Sequence, residues 1–545
     1  MAIERWNPRD ELTTQEESIC KHLKRVRMLL VFLRRYRREI FDDKFQEELA
    51  AMYRCTGAGK DPVTPALMAI ATLVQDYLSV SDAEMVKLTA LDLSVQMVLD
   101  CLGKKGSAFS QGAFSDFRQR FIRFDMDRRC LERTVEIARR TKEFDWRKLP
   151  KTLRVGIDSA PLEGAGRVED TFNLLGHAAR KVVHCAAQLL SWKEEKVCTE
   201  AGIPLLLEPS IKAGLDLDWS DDEQKDEAIK LLTEQLNSLQ RWLEQRLPRE
   251  LSKPPLKEHL ATVEQIRKQD LEPDPDGGGE RIREGVAKER RVSIEDPEMR
   301  HGRKNKNKLF NGYKQHVAAD LDRELILSAA VTPANRPEDE AAPGLKADID
   351  RQGLTITGMY FDRAYIKSPV VNEVLAEGGQ VFCKPWMSVN GGLFPKAAFE
   401  INIRDRTITC PSGLQTQKFQ LGMNIEFDAE TCDRCPVRSL CTKARPGAGR
   451  SVAIATDEPL QQRMRKLLQT PAGRQRLRRR SRIEHRLSHV TRRQGRRARY
   501  RGIRKNLFAL RRAATIHNLQ VLQRQFKHAD LQGPARRSLS NRSAS

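Results

Sequence analysis

Leu153-Arg-Val-Gly-Ile-Asp158 is a short run of β-forming residues that ends in an acid, and Ser159, Ala160 and Pro161 come directly after it. Turn-forming residues behind such a run indicate the end of a strand. We therefore predict a buried strand whose C-terminal end carries Asp158. The run also divides the chain, because the residues before it have helical spacing.

Strand-forming runs return after residue 309 and outline the rest of a sheet. Phe310 to Asp320 and Leu325 to Val331 flank a turn at Asp322, which predicts a hairpin. The order strand, hairpin, helix, strand, helix, strand is that of a ribonuclease-H-like mixed sheet, so the predicted fold class is α/β. The elements predicted after the hairpin are a helix from Pro337, a strand at 356–361, a helix at 368–377 and a strand at 380–383.

The first 150 residues have the pattern of helices. Thr64-Pro65 offers a cap and a proline at the first helical position, and Ser81-Asp82-Ala83-Glu84 is a capping box. A further helix from about Ser110 would bury three phenylalanines and carry arginines on its other faces. Three short helices with a basic third one suit a helix-turn-helix-like DNA reader; a helical packing domain with a solvated basic face is the alternative. The side chains concerned are Phe114, Phe117, Phe121, Arg118, Arg120 and Arg123.

The composition favours a polyanionic partner. The chain has 545 residues, with 96 Lys and Arg against 74 Asp and Glu and a formal net charge of +22. Single hydrophobic cores stop growing near about 300 residues, so we expect two or more domains. No apolar run reaches the length of about 18 residues that a membrane span needs. The 11 cysteines are odd in number and mostly scattered, which favours a reduced cytoplasm.

Two further segments have a character of their own. Asp221 to Leu247 has apolar residues spaced by three and four over about two heptads, so we favour a helical hairpin packed on the body over a dimerising coiled coil. Glu272 to Gly279 has the composition of a loop or linker. From Pro471 to Arg512 there are 17 Lys or Arg and one acid, Glu484, which indicates a basic helical segment. The tail after His528 is polar, and we expect it to be disordered.

Three carboxylates are candidates for chemistry. Asp158 and Asp362 each close a predicted strand, and Glu484 is the lone acid of the basic segment. Magnesium prefers hard oxygen ligands, and a two-metal site takes its carboxylates from separate elements. The basic residues around Glu484 would hold phosphates beside such ions. On spacing alone, surface acids and turn formers at strand ends remain the alternative.

Four cysteines form a second constellation. Cys410, Cys432, Cys435 and Cys441 are separated by 21, 2 and 5 residues, and prolines after the first and third mark turns. Thiolates at such spacing suit a tetrahedral structural zinc. A cysteine-bearing loop that packs without metal is the alternative.

Together these stretches resemble the insertion-sequence transposases of the DDE, ribonuclease-H-like superfamily. The region from Tyr53 to Phe121 is similar to the helical InsH-type N-terminal domain of such enzymes. Many relatives have a Tyr, Arg, Glu, Lys arrangement on the last helix, where this chain has Leu477 at the Tyr position and Thr491 at the Lys position. The other stretches that carry the resemblance are Asp158 to Thr171, Asp296 to Gly302, Gly312 to His316, Asp362-Arg-Ala-Tyr365, Arg480-Ser-Arg-Ile-Glu484-His485, Arg496 to Gly502 and Lys505.

The resemblance implies a transposase that binds the ends of its insertion sequence, cleaves DNA and joins the 3′ ends to target DNA. Asp158, Asp362 and Glu484 would hold two Mg²⁺ or Mn²⁺ ions. The implied partners are double-stranded DNA and further copies of the chain in a homodimer or larger complex, in the bacterial cytoplasm at the nucleoid. The alternatives are a non-catalytic DNA-binding regulator or remnant of the same fold, and a nuclease that cuts without joining. The expected DNA contacts are Arg118, Arg120, Arg480, Arg492, which would substitute for the lysine, Arg496, Arg497 and Lys505.

One domain plan combines these predictions. A helical N-terminal DNA-binding domain precedes a catalytic core that two inserts interrupt. The predicted parts are the N-terminal domain at 1–150, the core at 151–200 and 301–390, the helical insert and linker at 201–300, the cysteine-containing insert at 391–470, the basic segment with Glu484 at 471–527 and the tail at 528–545.

Overall fold

The computed structural model describes residues 3–23, 26–53, 61–140, 152–215, 217–275, 279–305, 307–386, 389–416 and 418–525. The tail at 528–545, predicted to be disordered, lies outside the described residues. Within them the chain is mixed α/β, and its largest sheet has six strands. None of the helices in these ranges is long and apolar enough to cross a membrane.

Helices account for the regular structure of the described chain before residue 141. The predicted starts are confirmed: one helix begins at Pro65, and Ser81 and Ser110 each accept a backbone N–H hydrogen bond at the start of another. The three phenylalanines of the last predicted helix are buried. The helices are α1 (Thr14–Leu23), α2 (Met28–Ile40), α3 (Asp43–Ala50), α4 (Pro65–Leu78), α5 (Asp82–Leu91), α6 (Leu93–Leu99), α7 (Gln111–Arg123) and α8 (Met126–Arg140).

The first strand of the sheet, β1 (Thr152–Glu163), is followed by a helical insert with its own buried apolar cluster. The helix predicted at 221–247 is confirmed, and its apolar seam lies in this cluster. The elements of the insert are α9 (Thr171–Leu190), α10 (Glu194–Ala201), α11 (Ile211–Leu215), α12 (Asp222–Arg246), α13 (Leu256–Asp270), β2 (Leu271–Pro273) and β3 (Glu280–Ile282).

The insert differs from the prediction in two places. The predicted core extends to residue 200, but α9 and α10 bury their apolar faces against α12 and α13, so the insert begins near residue 171. Glu272 and Pro273 were assigned to a linker, but they pair with Arg281 and Glu280 in a two-stranded sheet. The first difference arises because α9 and α10 find their partners α12 and α13 further along the chain, whereas β2 and β3 pair locally, with partners 7 to 11 residues apart.

The remaining strands confirm the predicted order of hairpin, helix, strand, helix, strand. β1 lies between an antiparallel and a parallel neighbour, which makes the sheet mixed. The strand order across the sheet is β4, β5, β1, β7 and β8. Strand β6 also pairs with β5, along a different part of that strand from β4. These elements are β4 (Arg300–Asn305), which was not predicted, β5 (Lys308–Asp320), β6 (Ile326–Pro333), α14 (Ala342–Arg351), β7 (Thr355–Tyr360), α15 (Pro369–Ala376) and β8 (Gln380–Phe382).

The cysteine-containing insert and four helices complete the described chain. Seven buried apolar residues form the small core of this insert. The elements of the insert are β9 (Glu400–Asn402), β10 (Thr407–Thr409), β11 (Asn424–Glu426), α16 (Ala429–Asp433), α17 (Arg438–Cys441) and β12 (Ser451–Ala453). The helices that follow are α18 (Glu458–Gln469), α19 (Pro471–Arg478), α20 (Ser481–Gln494) and α21 (Ile503–Gln525).

The two faces of the sheet are covered by different elements. Helix α20 packs on one face through Ile483, Leu487 and Val490. The other face shares one buried cluster with α14, α15, α21 and the N-terminal helices, in which Val155 and Ile157 take part. The N-terminal helices therefore do not form a core separate from the sheet.

Candidate active site

Asp158 lies within β1 and not at its end, so the predicted end of the strand is wrong. The strand continues to Glu163, because β5 pairs with it as far as Glu163 and Gly312. On its other side the pairing with β7 stops at Gly156 and Tyr360. Asp158 is therefore the second residue beyond that ladder, where the sheet opens.

Asp362 follows β7 at the same level of the sheet. Tyr360 pairs with Gly156, so Asp362 comes two residues after the last pair of this ladder, as Asp158 does. The Asp362 carboxylate accepts a hydrogen bond from the backbone N–H of Arg363 at 2.7 Å and caps a short 3₁₀ turn, Arg363–Tyr365. Asp362 is exposed, as a residue available to a ligand must be.

Glu484 reaches this region from α20. A Cβ added at Gly156 would lie 2.8 Å from the Ile483 Cβ, so the helix crosses the strand closely where β1 has no side chain. Glu484 is the next residue, and its side chain is 48% exposed. Its Oε1 atom lies 2.6 Å from Nη2 of Arg480.

The electrostatics place Asp158 near two further carboxylates. The pKa of Asp158 is raised to about 6, chiefly by burial and also by the negative charges of Glu484 and Glu338, against the Ser159 amide and Arg480, which lower it. Glu338 lies in the 3₁₀ turn Glu338–Ala341 before α14. Sequence reasoning missed Glu338, whose only signal is its place directly after Pro337 at the start of a predicted helical stretch.

Of the three predicted carboxylates, Asp158 and Glu484 are close enough for the charge of Glu484 to raise the pKa of Asp158, and Asp362 follows the neighbouring strand β7. In the described ranges no group of three or more His, Cys, Asp or Glu side chains is close enough to hold a metal ion. The donor set nevertheless fits Mg²⁺, because it is made of carboxylate oxygens, and the raised pKa of Asp158 reflects burial together with nearby negative charge that a cation would relieve. To become a ligand, Glu484 would exchange Arg480 for the ion.

The basic segment is not one continuous helical segment, in contrast to the prediction. Helix α20 ends at Gln494, and a loop at 495–502 separates it from α21. Gly495 and Gly502 bound this loop with φ values of 90° and 87°, in the left-handed region that glycine permits. These two glycines were the sequence signal for the break.

The loop at 495–502 is fastened to the end of β1. The backbone N–H of Glu163 donates to the carbonyl of Arg496 at 3.0 Å, and the N–H of Ala498 donates to the carbonyl of Glu163 at 2.6 Å. The buried carboxylate of Asp296 accepts hydrogen bonds from the Tyr313 hydroxyl at 2.5 Å and the Gly502 N–H at 3.2 Å. These contacts fix the arginines of the loop relative to the sheet.

An open cavity of about 600 Å³ lies between this loop and the residues that follow β1. Arg497 donates to the carbonyls of Gly164 and Ala165 at 3.3 and 3.4 Å, so its guanidinium forms part of the wall. Arg501 pairs with Glu295 on the same wall. The cavity therefore has cations and anions on its surface, and the cations already have partners.

Several arginines of the basic segment bind the N-terminal helices. Arg512 and Arg499 approach the same oxygen of Asp76 at 3.1 and 3.4 Å, and Arg504 lies 2.5 Å from Asp127. These pairs join the end of the chain to its beginning, so the basic surface left for DNA is smaller than the count of 17 suggests. Of the predicted DNA contacts, Arg492, Arg496 and Lys505 are exposed, and Arg480 and Arg497 have the partners given above.

The two arginines predicted to contact DNA from α7 differ in their surroundings. Arg118 donates to both carboxylate oxygens of Asp82 at 2.6 and 2.5 Å, and its side chain is 16% exposed. Arg120 is exposed, and its guanidinium carbon lies 4.9 Å from the ring centre of Tyr53. The structure thus gives Arg118 a role in holding α7 to α5 and leaves Arg120 on the solvent side.

The four cysteines of the second constellation share one neighbourhood. Cys410, Cys432 and Cys441 pack against the small core of the cysteine-containing insert, and Cys435 lies 3.4 Å from the Ser412 hydroxyl. Burial raises the pKa of the Cys441 thiol, and the other three cysteines raise it further. Like the carboxylates, the four thiols are near one another without standing at ligand distances within the described chain.

Comparison with known proteins gives one match. Residues 409–523 match a family described as the transposase DDE domain. This match supports a DDE transposase. It covers about a fifth of the chain and includes the four cysteines, Glu484 and the loop at 495–502, whereas Asp158 and Asp362 lie outside it. No curated protein and no solved structure gives a significant match.

Proposed function

We propose that this chain is a DNA transposase that binds the ends of its insertion sequence, cleaves DNA and joins the 3′ ends to target DNA. The observation that carries the proposal is the convergence of Asp158 and Glu484 at one opening of a mixed sheet, in a chain that matches the transposase DDE domain. The strand order supports a ribonuclease-H-like core: an antiparallel hairpin lies on one side of β1 and two parallel strands on the other.

Asp158, Asp362 and Glu484 are the proposed ligands of two Mg²⁺ or Mn²⁺ ions. When bound, such ions supply activation of the attacking oxygen and neutralisation of the leaving one. Asp158 lies on β1, Asp362 follows the parallel neighbour β7, and Glu484 belongs to the helix packed across β1. The attacking groups are water and then the freed 3′-hydroxyl of DNA, so the chain needs to supply no nucleophile.

The proposed partner is double-stranded DNA, both the terminal inverted repeats and the target. Exposed Arg492, Arg496 and Lys505 would neutralise phosphates, while Arg120 and the InsH-type N-terminal helices would contact the ends. Joining two ends requires them to be held together, which we propose a homodimer or larger complex does, in the bacterial cytoplasm at the nucleoid.

We also propose a structural zinc in the cysteine-containing insert. Its core has seven buried apolar residues, and its strands have three residues each. A module this small rarely folds on its apolar burial alone, so a metal held by Cys410, Cys432, Cys435 and Cys441 would supply the missing stability.

The test uses full-length protein with paired element ends and Mg²⁺. Asp158→Asn, Asp362→Asn and Glu484→Gln should each reduce cleavage and joining by at least about 100-fold while end binding stays close to wild type, because ligation needs the charge. Asp350→Asn is the control, since that carboxylate pairs with Lys346 on α14, away from the site. Binding without cleavage in the wild type would favour the regulator, and cleavage without joined product would favour the nuclease.

A further inference from the structure

His316 and Tyr365 stand in two of the stretches that carry the resemblance, yet the carboxylate chemistry leaves both without a role. His316 lies on β5, directly opposite Ser159 of β1. Tyr365 ends the short 3₁₀ turn that Asp362 caps. Both side chains are fully buried, on the side of the sheet away from α20. They therefore lie behind the carboxylates rather than among them.

A chain of hydrogen bonds joins these residues to three strands. The Tyr365 hydroxyl lies 2.7 Å from Nδ1 of His316, and Nε2 of His316 lies 2.9 Å from the Thr332 hydroxyl on β6. Burial raises the pKa of Tyr365 and the Ser159 side chain lowers it, so Ser159 lies close to the Tyr365 hydroxyl. The turn after β7 is thus connected to β1, β5 and β6 through side chains.

The chain has a direction. Burial lowers the pKa of His316 to about 3, so the ring is neutral, with one donor and one acceptor nitrogen. The Tyr365 hydroxyl can accept from Ser159 and donate to Nδ1, after which Nε2–H donates to Thr332. Every buried group then has a partner, which makes the arrangement costly to distort.

Asp362 lies beyond the last residue pair of β1 and β7. The ladder between these strands stops two residues before it, so pairing with β1 does not hold Asp362. Tyr365 follows three residues later, and Ser159 is the residue after Asp158, whose carboxylate accepts a hydrogen bond from the Ser159 N–H at 2.9 Å. Two members of the hydrogen-bond chain, Ser159 and Tyr365, are therefore close in sequence to the two aspartates.

We propose that Tyr365 and His316 are positioning residues that set the separation of Asp158 and Asp362 by locking the turn after β7 to β1 and β5. The inference rests on the proposed function for the use of the two aspartates. A site that needs carboxylates from separate elements requires such a tie, since displacements of about 1 Å are enough to weaken it.

Three variants test the tie. Tyr365→Phe removes the hydroxyl and keeps the buried ring, His316→Leu removes both nitrogens, and the double variant removes the whole link. Tyr313→Phe is the matched control, because it also removes a buried tyrosine hydroxyl on the same sheet, one that donates to Asp296 instead. Ser159→Ala removes the first side chain of the hydrogen-bond chain. It tests the same link if the variants of Tyr365 and His316 fail to fold.

The measurements are calorimetric titration of the full-length protein with Mn²⁺ in the absence of DNA, and its unfolding temperature without metal. We expect Tyr365→Phe to weaken Mn²⁺ binding about tenfold, the usual effect of losing a partner behind a metal ligand, and Ser159→Ala to weaken it less. The double variant should be no weaker than His316→Leu, because both break one chain. Tyr313→Phe should lower the unfolding temperature and leave Mn²⁺ affinity unchanged.

Wild-type Mn²⁺ affinity in Tyr365→Phe, or an equal loss in Tyr313→Phe, would overturn the inference and leave the carboxylate site standing. If the buried variants do not fold, wild-type affinity in Ser159→Ala would overturn it in the same way. If the wild-type protein binds no Mn²⁺, or if Asp158→Asn binds Mn²⁺ with the same affinity as the wild type, the carboxylate site is overturned. The inference then fails with it.

Discussion

Arg480 and Glu484 form an ion pair, with Nη2 and Oε1 2.6 Å apart, one helical turn from each other at the start of α20. The same arginine lowers the pKa of Asp158, so it serves both carboxylates. In the free protein Arg480 therefore supplies the positive charge that a metal ion would bring.

Arg480→Gln should strengthen Mn²⁺ binding to the free protein by about two- to fivefold, because a half-exposed ion pair contributes at most about 1 kcal/mol. DNA binding should weaken at the same time, since a cation near the phosphates is lost. Calorimetry without DNA and end binding without metal separate the two effects. A weaker affinity for Mn²⁺ would mean that Arg480 orients Glu484 rather than competing for it.

Asp158→Asn should make the metal-free protein more stable in alkaline solution. The pKa of Asp158 rises from 3.8 to about 6 on folding, so the folded protein holds the proton more tightly than the unfolded chain. The contribution to stability is complete below about pH 4 and is lost as the pH rises through 6. At pH 8 the variant should gain roughly 1 to 3 kcal/mol in the free energy of unfolding. Denaturant unfolding with a chelator, at pH 8 and pH 4, measures this; a variant less stable at pH 8 would contradict it.

The sequence predicted the sheet between residues 310 and 383 well, because its strands are runs of β-forming residues that are largely buried on both faces. It predicted β1 only in part. Ser159-Ala160-Pro161 has turn composition, yet pairing with β5 keeps it extended as far as Glu163. Composition cannot reveal a partner strand 150 residues away.

Contacts distant in sequence explain the other differences. The ion pairs of Arg499 and Arg512 with Asp76 join α21 and the loop before it to α4. No local sequence pattern predicts these pairs. Glu338 was missed for the same reason, since only the folded sheet brings it near Asp158. The shared core of the N-terminal helices and the sheet means that end binding is best tested in the full chain.

Arg118→Ala and Arg120→Ala should act on different properties. Arg118→Ala removes a bidentate pair with Asp82 and should lower the free energy of unfolding by roughly 1 kcal/mol. Arg120→Ala removes an exposed cation and should weaken end binding with little change in stability. Thermal unfolding measures the stability of both variants, and titrations with end DNA measure their affinity. If Arg118→Ala keeps full stability and loses end discrimination, Arg118 contacts DNA after all.

Replacing Cys432 and Cys435 together by Ser should release about one zinc per chain and make the cysteine-containing insert sensitive to protease, because metal binding there contributes to folding. Cys383→Ala is the matched control, since this buried thiol lies outside the four. Elemental analysis and limited proteolysis are the measurements. Purified wild-type protein without near-stoichiometric zinc would leave the four cysteines as packing residues.

Arg496 and Arg497 are neighbours on the loop beside β1, but they should affect DNA binding differently. Arg496 is exposed and its backbone carbonyl, not its side chain, holds the loop, so Arg496→Ala should reduce the slope of log affinity against log salt by about one. The Arg497 guanidinium donates to the carbonyls of Gly164 and Ala165, so Arg497→Ala should loosen the loop and lower the unfolding temperature with a smaller change in slope.

Neither change should alter the preference for end DNA over random DNA, because phosphate contacts carry no base information. Salt titrations with both DNAs, beside unfolding curves, measure all three quantities. Equal slopes in the two variants would show that the contact of the loop with β1 does not distinguish the two arginines. A lost preference for end DNA would show that the loop contacts bases.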